Sequence, residues 1–469
     1  MGVLWVLIAA AVVVVAAALV YWTLLLSMYP ETLRTNEIYT VITNDLWRLR
    51  VCRYRRGRTE GEPVLLVHGF MANHHNFTEP ETGCIAAYLA RKGYDCWAVD
   101  LRGTRSSTPP FEHNITEPVF DDFVYRDLPA VIMHIRKTTG YAKVHWVGHS
   151  MGGMLLYAYV QAHGDAHIAS AVTLGAPIGF EGANIHIPDF LVRLVRLFPA
   201  FMSALQRGFV PIGFTFGIGQ SIFPINLKNV HPDIRVEHLF NMLESAQPHV
   251  LEEMTFWTKT KTFRIREDGI DVLEGMKTMT TPLLAIFAGQ DPFVSAEKAE
   301  KFINSLPYKD KATLVLSKER GAIEDYGHCD LAFSKEGEKE VFEPIVRWLE
   351  AHPITERITL FEGEDVGIRT PLKEDERADI LSGASYANLR EEAQQKKPAK
   401  ASKRKPAPAA PKDAAKKSAA KNAPARKSAA KKKSAVSAAD NKTAAPKKKA
   451  ATPKKKAAAK PGGEDTTTP

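Results

Sequence analysis

Cysteine is scarce in this sequence, with four residues among 469. The four show no spacing typical of metal ligands and are too few to build a disulfide scaffold. We therefore expect small apolar core residues that stay reduced, at Cys52, Cys84, Cys96 and Cys329. Because Cys329 follows a histidine, it is also a candidate thiol close to a functional site.

Basic residues are in the minority over most of the chain. Outside the segment 396–460 the sequence holds 39 Lys and Arg against 51 Asp and Glu, whereas that segment holds 23 basic and 2 acidic residues. The formal net charge of +9 thus divides into +21 from the segment and −12 from the remainder. The part of the chain that can form a core is therefore acidic.

The C-terminal tail, 396–469, has almost no Leu, Ile, Phe or Trp. Such Lys/Ala/Pro-rich sequence cannot bury a core, so we predict a disordered tail after a mixed, charged linker at 354–395. The tail is similar to those of linker histones, which implies binding to nucleic acid or another polyanion by release of counterions. Anionic lipid head groups and polyphosphate suit the same chemistry, and a solubilising tail without a fixed partner is the alternative.

Charge is also missing from an N-terminal apolar run, Val3 to Met28, which is long enough to cross a bilayer as a helix. Aromatic residues near its ends suit the membrane interface. No Lys or Arg precedes the run, which disfavours a cleaved signal peptide. We expect residues 1–30 to form a retained single-pass anchor. The arginines that follow it favour a cytoplasmic location for the folded part of the chain after the anchor.

A glycine-flanked serine stands at the centre of the sequence. The buried-strand pattern at 144–147 leads into Gly148-His149-Ser150-Met151-Gly152, and an apolar helix is predicted to follow as far as about residue 163. A serine hydroxyl attacks well when it projects from a strained strand-to-helix turn, and the glycines let the backbones pass. Ser150 is therefore the candidate nucleophile; a tight turn with an idle serine is the alternative.

Two later loops supply an acid and a base in the order that this chemistry needs. Asp291 directly follows a predicted strand at 282–289, and His328 lies in a loop before the last predicted helix. Histidine can take the serine proton and return it to a leaving group, while the aspartate orients the imidazole. Asp325 and Asp330 are alternatives as the orienting acid, and Asp291 could instead be a solvated turn residue.

Strand and helix patterns alternate along most of the chain and predict an α/β fold with a mainly parallel sheet covered by helices on both faces. The alternation breaks at 178–281, which is rich in Phe, Leu, Ile, Pro and Met. We expect this stretch to be a helical subdomain with its own core, inserted between the two parts of the α/β core, 31–177 and 282–353.

Residues 39–352 resemble the α/β-hydrolase superfamily through the Ser150, Asp291, His328 order and the His-Gly after the strand at 63–67. The stretches 127–130 and 144–152 are similar to acid lipases and related bacterial esterases. The resemblance implies an acyl-enzyme mechanism on carboxylic esters, with no metal or organic cofactor. It also implies an oxyanion hole made by the backbone N–H groups of Phe70 and Met151, and a helical cap at 178–281 over the active site. An apolar cap would favour hydrophobic acyl or alkyl substrates.

One departure from the family is Arg105, where many relatives have glycine. Arg102, three residues earlier, is expected to bridge loops with its planar fork rather than to touch substrate. Polyester synthases are similar in outline but use cysteine at the elbow, so Ser150 favours hydrolysis over polymer synthesis. His68 and His149 are expected to pack rather than to titrate.

Two other functions fit the same sequence. In one, the hydrolase domain is catalytically idle and the chain tethers a membrane to DNA or another polyanion through its basic tail. In the other, the same residues transfer the acyl group to an acceptor other than water.

Overall fold

A computed structural model describes residues 2–57, 61–81, 83–110, 118–178, 188–217, 224–265 and 269–358 of the chain. The basic tail and nearly all of the predicted linker lie outside these residues, so the predictions made for them stay predictions. Residues 354–358 are described and pair with the core: the Ile358 N–H donates to the Gly140 carbonyl, and Arg357 bridges Tyr141.

Eight strands form one sheet in the order β1-β2-β4-β3-β5-β6-β7-β8. The first two strands pair antiparallel with their neighbours, and all later pairs are parallel. The sequence prediction of a mainly parallel sheet is therefore confirmed. The strands are β1 Glu37–Ile42, β2 Arg48–Tyr54, β3 Pro63–Val67, β4 Asp95–Val99, β5 Val144–His149, β6 Ile168–Leu174, β7 Leu283–Ala288 and β8 Lys311–Leu316.

Thirteen α-helices lie among the described residues. They are α1 Gly2–Met28, α2 His75–Thr78, α3 Ile85–Arg91, α4 Phe120–Asp122, α5 Leu128–Thr139, α6 Met151–His163, α7 Asp189–Leu197, α8 Pro199–Phe216, α9 Val236–Met242, α10 Pro248–Thr260, α11 Val272–Gly275, α12 Ala296–Ser305 and α13 Glu343–Glu350.

The sequence predicts helices at about 81–91, 121–139 and 338–350, and each differs from the structure in detail. The last begins with a π-helical segment, Glu338–Phe342, ahead of α13. The helix expected from residue 81 begins only at Ile85, because Cys84 caps it and accepts the Ala87 N–H on its sulfur at 3.4 Å. The long helix expected from residue 121 is present, but a π-helical segment, Phe123–Asp127, separates α4 from α5. Hydrophobic periodicity cannot distinguish such a widened turn from a regular one.

The sheet carries a hydrophobic core on each face, as expected for parallel strands buried on both sides. Leu65 and Val67 of β3 face a cluster that includes residues of α5 and α6, while Val64 and Leu66 face one that includes residues of α3 and α13. All five residues of β3 are buried. This rigid sheet carries the loops that follow β3, β5 and β7.

Five helices, α7 to α11, lie between β6 and β7, where the sequence predicts the cap. We call α7 and α8 the cap hairpin. Its inner side chains Val192 and Val195 are buried against Leu251 of α10 and pack with Phe70, which follows β3. The segment between β6 and β7 thus covers the loop that follows β3.

All four cysteines are free, and three of them are buried. Burial raises the pKa of each thiol well above its usual range, including that of the partly buried Cys329. These thiols therefore stay protonated at neutral pH and behave as small apolar groups.

Candidate active site

Close packing forces the turn that presents Ser150. A Cβ on Gly148 would lie 2.4 Å from the carbonyl oxygen of Gly152, and one on Gly152 would lie 2.0 Å from that of Val67. Neither position can therefore carry a side chain. Ser150 itself has a φ of 54° and a ψ of −117°, a conformation that a non-glycine residue adopts only at a cost. Its N–H donates to the Leu174 carbonyl at 2.8 Å.

Asp291 lies just beyond the carboxyl end of β7 and is held in one orientation. Its Oδ1 accepts hydrogen bonds from the N–H groups of Phe293 at 2.8 Å and Val294 at 3.1 Å. Its Oδ2 accepts one from His328 Nδ1 at 2.6 Å. The Asp291 side chain is fully buried. This bond fixes the tautomer of His328 and leaves Nε2 for proton transfer.

The two other aspartates near His328 have different partners. Asp330 accepts the N–H of Gly327 and that of Asn226, and its Oδ2 accepts the side-chain amide of Asn229 at 2.8 Å. Asp325 Oδ1 accepts the Lys318 N–H at 2.9 Å. Both carboxylates therefore shape the loop, and Asp291 is the one that orients the imidazole.

His328 and Ser150 both lie beside the end of β6. The Leu174 carbonyl holds Ser150, and a Cβ on the next residue, Gly175, would lie 3.2 Å from His328 Nδ1. Within the described residues, no hydrogen bond joins Ser150 Oγ to His328, whose Nδ1 bonds Asp291. Ser150 is 9% and His328 4% exposed, so both side chains are largely shielded from solvent.

Two backbone N–H groups lie beside the nucleophile. In the part of the chain that the structure describes, the amides of Phe70 and Met151 donate to no acceptor. Met151 begins α6, whose N-terminus carries partial positive charge. A Cβ on Gly69 would lie 3.1 Å from that of Ser150, so the loop after β3 passes close to the serine. Both donors are therefore available to an anion that forms near Ser150.

Two buried histidines support the site without taking part in proton transfer. His68 Nδ1 donates to the Gly69 carbonyl at 2.8 Å and Nε2 accepts the Leu101 N–H at 3.2 Å, so the ring is neutral, and burial lowers its pKa. His149 Nε2 donates to the His328 carbonyl at 3.0 Å. Burial and the neighbouring His328 lower the pKa of His149 to about 3. No sequence pattern indicates this contact.

Two arginines tie loops together around the site. Arg102 Nε donates to Asp127 and its Nη1 to Asp45, each at 2.7 Å, which confirms the expected bridge. Arg105, the departure from the family pattern, pairs with the buried Glu244 of the segment between β6 and β7 at 3.1 Å. Sequence analysis missed this second contact because it joins residues far apart in the chain.

A group of side chains near the end of α1 has ligand types that suit a metal. One ligand atom from each of Glu31, His74 and His75 lies within 4.8 Å of the others. However, Arg50 donates to Glu31 at 2.6 Å and to Asp100 at 2.7 Å. Against the effect of burial, hydrogen bonding from His75 and the charge of Arg50 lower the pKa of Glu31 to about 2. A guanidinium thus already supplies the positive charge, and we assign no metal here.

Comparisons with known proteins agree with this architecture. The model of the alpha/beta hydrolase fold family matches residues 62–334. Triacylglycerol lipase 2 of Arabidopsis thaliana is 28% identical over 352 residues, covering 66% of this chain and 83% of the relative. Gastric triacylglycerol lipase of Mus musculus is 24% identical over 356 residues, covering 66% and 87%.

Among solved structures, a thermophilic esterase from Thermogutta terrifontis aligns with a TM-score of 0.44 and 19% identity, covering 68% of this chain and all of that one. The fold, the family match and the lipase relatives lead to one conclusion. The chain belongs to the α/β-hydrolase family, in its esterase and lipase branch.

Proposed function

We propose that this protein is a membrane-anchored serine hydrolase that cleaves carboxylic esters with hydrophobic acyl groups through an acyl-enzyme intermediate. The observation that carries the proposal is the 2.6 Å bond from His328 to the buried Asp291, formed beside a serine in a strained turn. A turn with an idle serine would have no need of an oriented imidazole next to it.

The chemistry follows from the roles of three side chains. Ser150 Oγ attacks the ester carbonyl carbon while His328 Nε2 takes the hydroxyl proton. Asp291 stabilises the imidazolium that forms. The N–H groups of Phe70 and Met151 bind the oxyanion of the tetrahedral intermediate. His328 then returns the proton to the alkoxide that leaves.

The second half of the reaction uses the same groups in reverse. His328 Nε2 takes a proton from water as the water oxygen attacks the acyl carbon. The tetrahedral oxyanion then expels Ser150 Oγ, which takes the proton back from His328, and the carboxylic acid is released. An alcohol acceptor in place of water would give acyl transfer by the same steps. The segment between β6 and β7 shields the site from bulk water. Whichever acceptor reaches the acyl-enzyme, water or an alcohol, therefore decides between hydrolysis and acyl transfer.

Hydrophobic substrates are supported by the cover over the site and by the relatives. The inner face of the cap hairpin presents Val192, Val195 and Met202 to Phe70. Apolar side chains at this place favour an acyl chain over a charged group. The anchor is supported by α1, which is long and apolar enough to cross a membrane.

The test is a set of turnover measurements on the full chain in detergent micelles with p-nitrophenyl esters of increasing acyl length. We expect turnover with an optimum at a medium or long chain, and loss of activity by roughly 10⁴-fold or more in Ser150→Ala. A fluorophosphonate should label the wild-type protein at Ser150 and leave Ser150→Ala unlabelled.

Ser170→Ala is the matched control, because Ser170 is a buried serine on β6 that bonds His145 at 2.9 Å rather than His328. That variant should still be labelled. A folded wild-type protein that neither labels nor turns over any ester would refute the hydrolase proposal. It would leave the tether function of the basic tail as the better hypothesis.

A further inference from the structure

The outward face of α8 is a narrow apolar stripe. Five large side chains on it are between 42 and 72% exposed. Four of them recur at intervals of four, seven and four residues, which places them on one face of the helix. We call this set the outer stripe: Phe198, which caps α8, with Phe201, Leu205, Ile212 and Phe216.

The opposite face of α8 already has its partners within the protein. Arg207 and Val210 are buried, and Arg207 Nε donates to the Phe240 carbonyl at 3.1 Å. The Arg207 guanidinium lies 4.1 Å from the centre of the Phe240 ring. The helix is thus fixed by its inner face, and the outer stripe points away from these partners.

The anchor helix meets α8 directly. Tyr21 donates its hydroxyl proton to the Gly208 carbonyl at 2.8 Å, and Trp22 lies under the Arg207 guanidinium at 5.3 Å. Leu25 is buried in a cluster with Val210 and Phe240. The last two turns of α1 therefore pack on α8 and α9.

The length of α1 sets the depth of this contact. Its 27 residues extend about 40 Å at about 1.5 Å per residue. The hydrocarbon core of a bilayer is about 30 Å thick and needs about 20 residues. When Val3 and its neighbours lie at the far side, Tyr21 and Trp22 reach the near interface, where aromatic rings are favoured. They are the residues that touch α8, so α8 lies at the level of the lipid head groups.

We propose that the outer stripe lies in the lipid leaflet beside α1, so that the cap hairpin is a second membrane attachment. The inference rests on the anchor role proposed above. A helix of this kind places its apolar face about 5–10 Å into the boundary of head groups and acyl chains. The neighbouring α7 adds exposed Phe190 and Leu197, together with exposed Arg193, which suits lipid head groups.

This attachment has a consequence for substrate access. The inner face of the same hairpin covers Phe70 beside the nucleophile, while the outer face lies in lipid. A lipid ester therefore moves from the leaflet past α7 and α8 to the site, without passing through bulk water. The ester substrates that this arrangement favours are constituents of the membrane that holds the enzyme.

The test uses the full chain, reconstituted in phosphatidylcholine vesicles, with an environment-sensitive fluorophore attached to Leu205→Cys or Phe216→Cys. Spin-labelled lipids with the quencher near the head group should reduce the emission at both sites by roughly half, as for an interfacial helix. The matched control is Ile323→Cys, because Ile323 is an apolar surface residue outside the cap hairpin and is 47% exposed. Its label should be quenched little by lipid and strongly by iodide.

Outer-stripe labels that respond to lipid and to iodide as the Ile323 label does would overturn the proposal. Labels shielded from both, in a manner that depends on protein density, would show a second copy on the stripe and would overturn it too. Extraction of the vesicles with alkaline carbonate tests the anchor, and ester turnover by each labelled variant tests the hydrolase. Failure of the outer stripe is therefore distinguishable from failure of the proposed function.

Discussion

The sheet core and the cap hairpin differ in how closely they are packed and in how much apolar surface they expose. In the core, β3 is buried at every residue, and glycine is required wherever the elbow approaches another backbone. In the hairpin, large apolar side chains stay exposed, and α8 even contains Pro211. The core packs the elbow so closely that no side chain fits at Gly148 or Gly152, whereas the hairpin leaves apolar surface exposed. The contrast fits the proposed roles, in which the core carries the chemistry and the cap controls access.

The largest effect should come from the acid of the core. Asp291→Asn removes the charge that stabilises the His328 imidazolium and favours the wrong tautomer, so turnover should fall about 10⁴-fold with the fold intact. The measurement is ester turnover together with thermal unfolding. Asp325→Asn is the control, because Asp325 bonds the Lys318 amide, and its turnover should stay within a few-fold of wild type. Similar losses in both variants would contradict the assignment.

Matched glycine substitutions should separate the two regions by stability. Gly152→Ala puts a Cβ 2.0 Å from the Val67 carbonyl oxygen, which forces the backbone to move and should cost more than about 4 kcal/mol. Gly208→Ala on α8 meets its nearest atom at 3.6 Å and gains helix propensity of up to about 1 kcal/mol. Urea unfolding in detergent measures both. Equal destabilisation by the two substitutions would contradict the difference in packing between the elbow and α8.

The link between core and cap should have a smaller effect. Arg105→Ala leaves the buried Glu244 without its ion pair and should destabilise the segment around it by about 1–3 kcal/mol. Hydrogen exchange of the α9 amides reports this loss directly. Arg196→Ala, which breaks the exposed pair with Glu252, should change exchange by less than about 1 kcal/mol. If both variants exchange alike, Arg105 is not the clamp that the structure indicates.

The smallest effect should be a change in pH dependence. His134 is buried, and in the described residues neither ring nitrogen has a hydrogen-bond partner. Burial, with the charge of Arg53, lowers its pKa to about 4 from an ordinary value near 6.5. As the pH falls from 6.5 to 4, the unfolded chain takes the proton first, so the folded state loses stability. The free energy of unfolding of His134→Leu should fall less over this range, which urea unfolding at a series of pH values measures. Equal slopes of that free energy against pH in the two proteins would show that His134 does not cause the loss.

Much of the core could be predicted because its signals are local. Continuous apolar runs such as β3 indicate buried parallel strands, and a glycine on each side of Ser150 indicates a tight turn. The order of Ser150, Asp291 and His328 then follows from the position of each after a strand. Widened turns such as Phe123–Asp127 leave no mark on hydrophobic periodicity, so they could not be predicted.

Contacts between distant segments were beyond sequence reasoning. The Arg105–Glu244 pair and the Tyr21–Gly208 hydrogen bond join residues 139 and 187 positions apart. Charges and aromatic rings of these kinds occur throughout the chain, so composition cannot select the right partners. Apolar residues at helical spacing within 190–202 indicate a helical surface there, but the side of α8 that faces outward depends on the packing of Arg207 and Val210.

The backbone at Ser150 also bears on how such an enzyme can change over generations. Its positive φ costs of order 1–3 kcal/mol relative to a relaxed conformation, and glycine would adopt the same angles without that cost. A Ser150→Gly protein should therefore be more stable than the active one, yet unable to form an acyl-enzyme. Selection for stability alone would favour glycine at this position, whereas the proposed acyl-enzyme chemistry requires the serine.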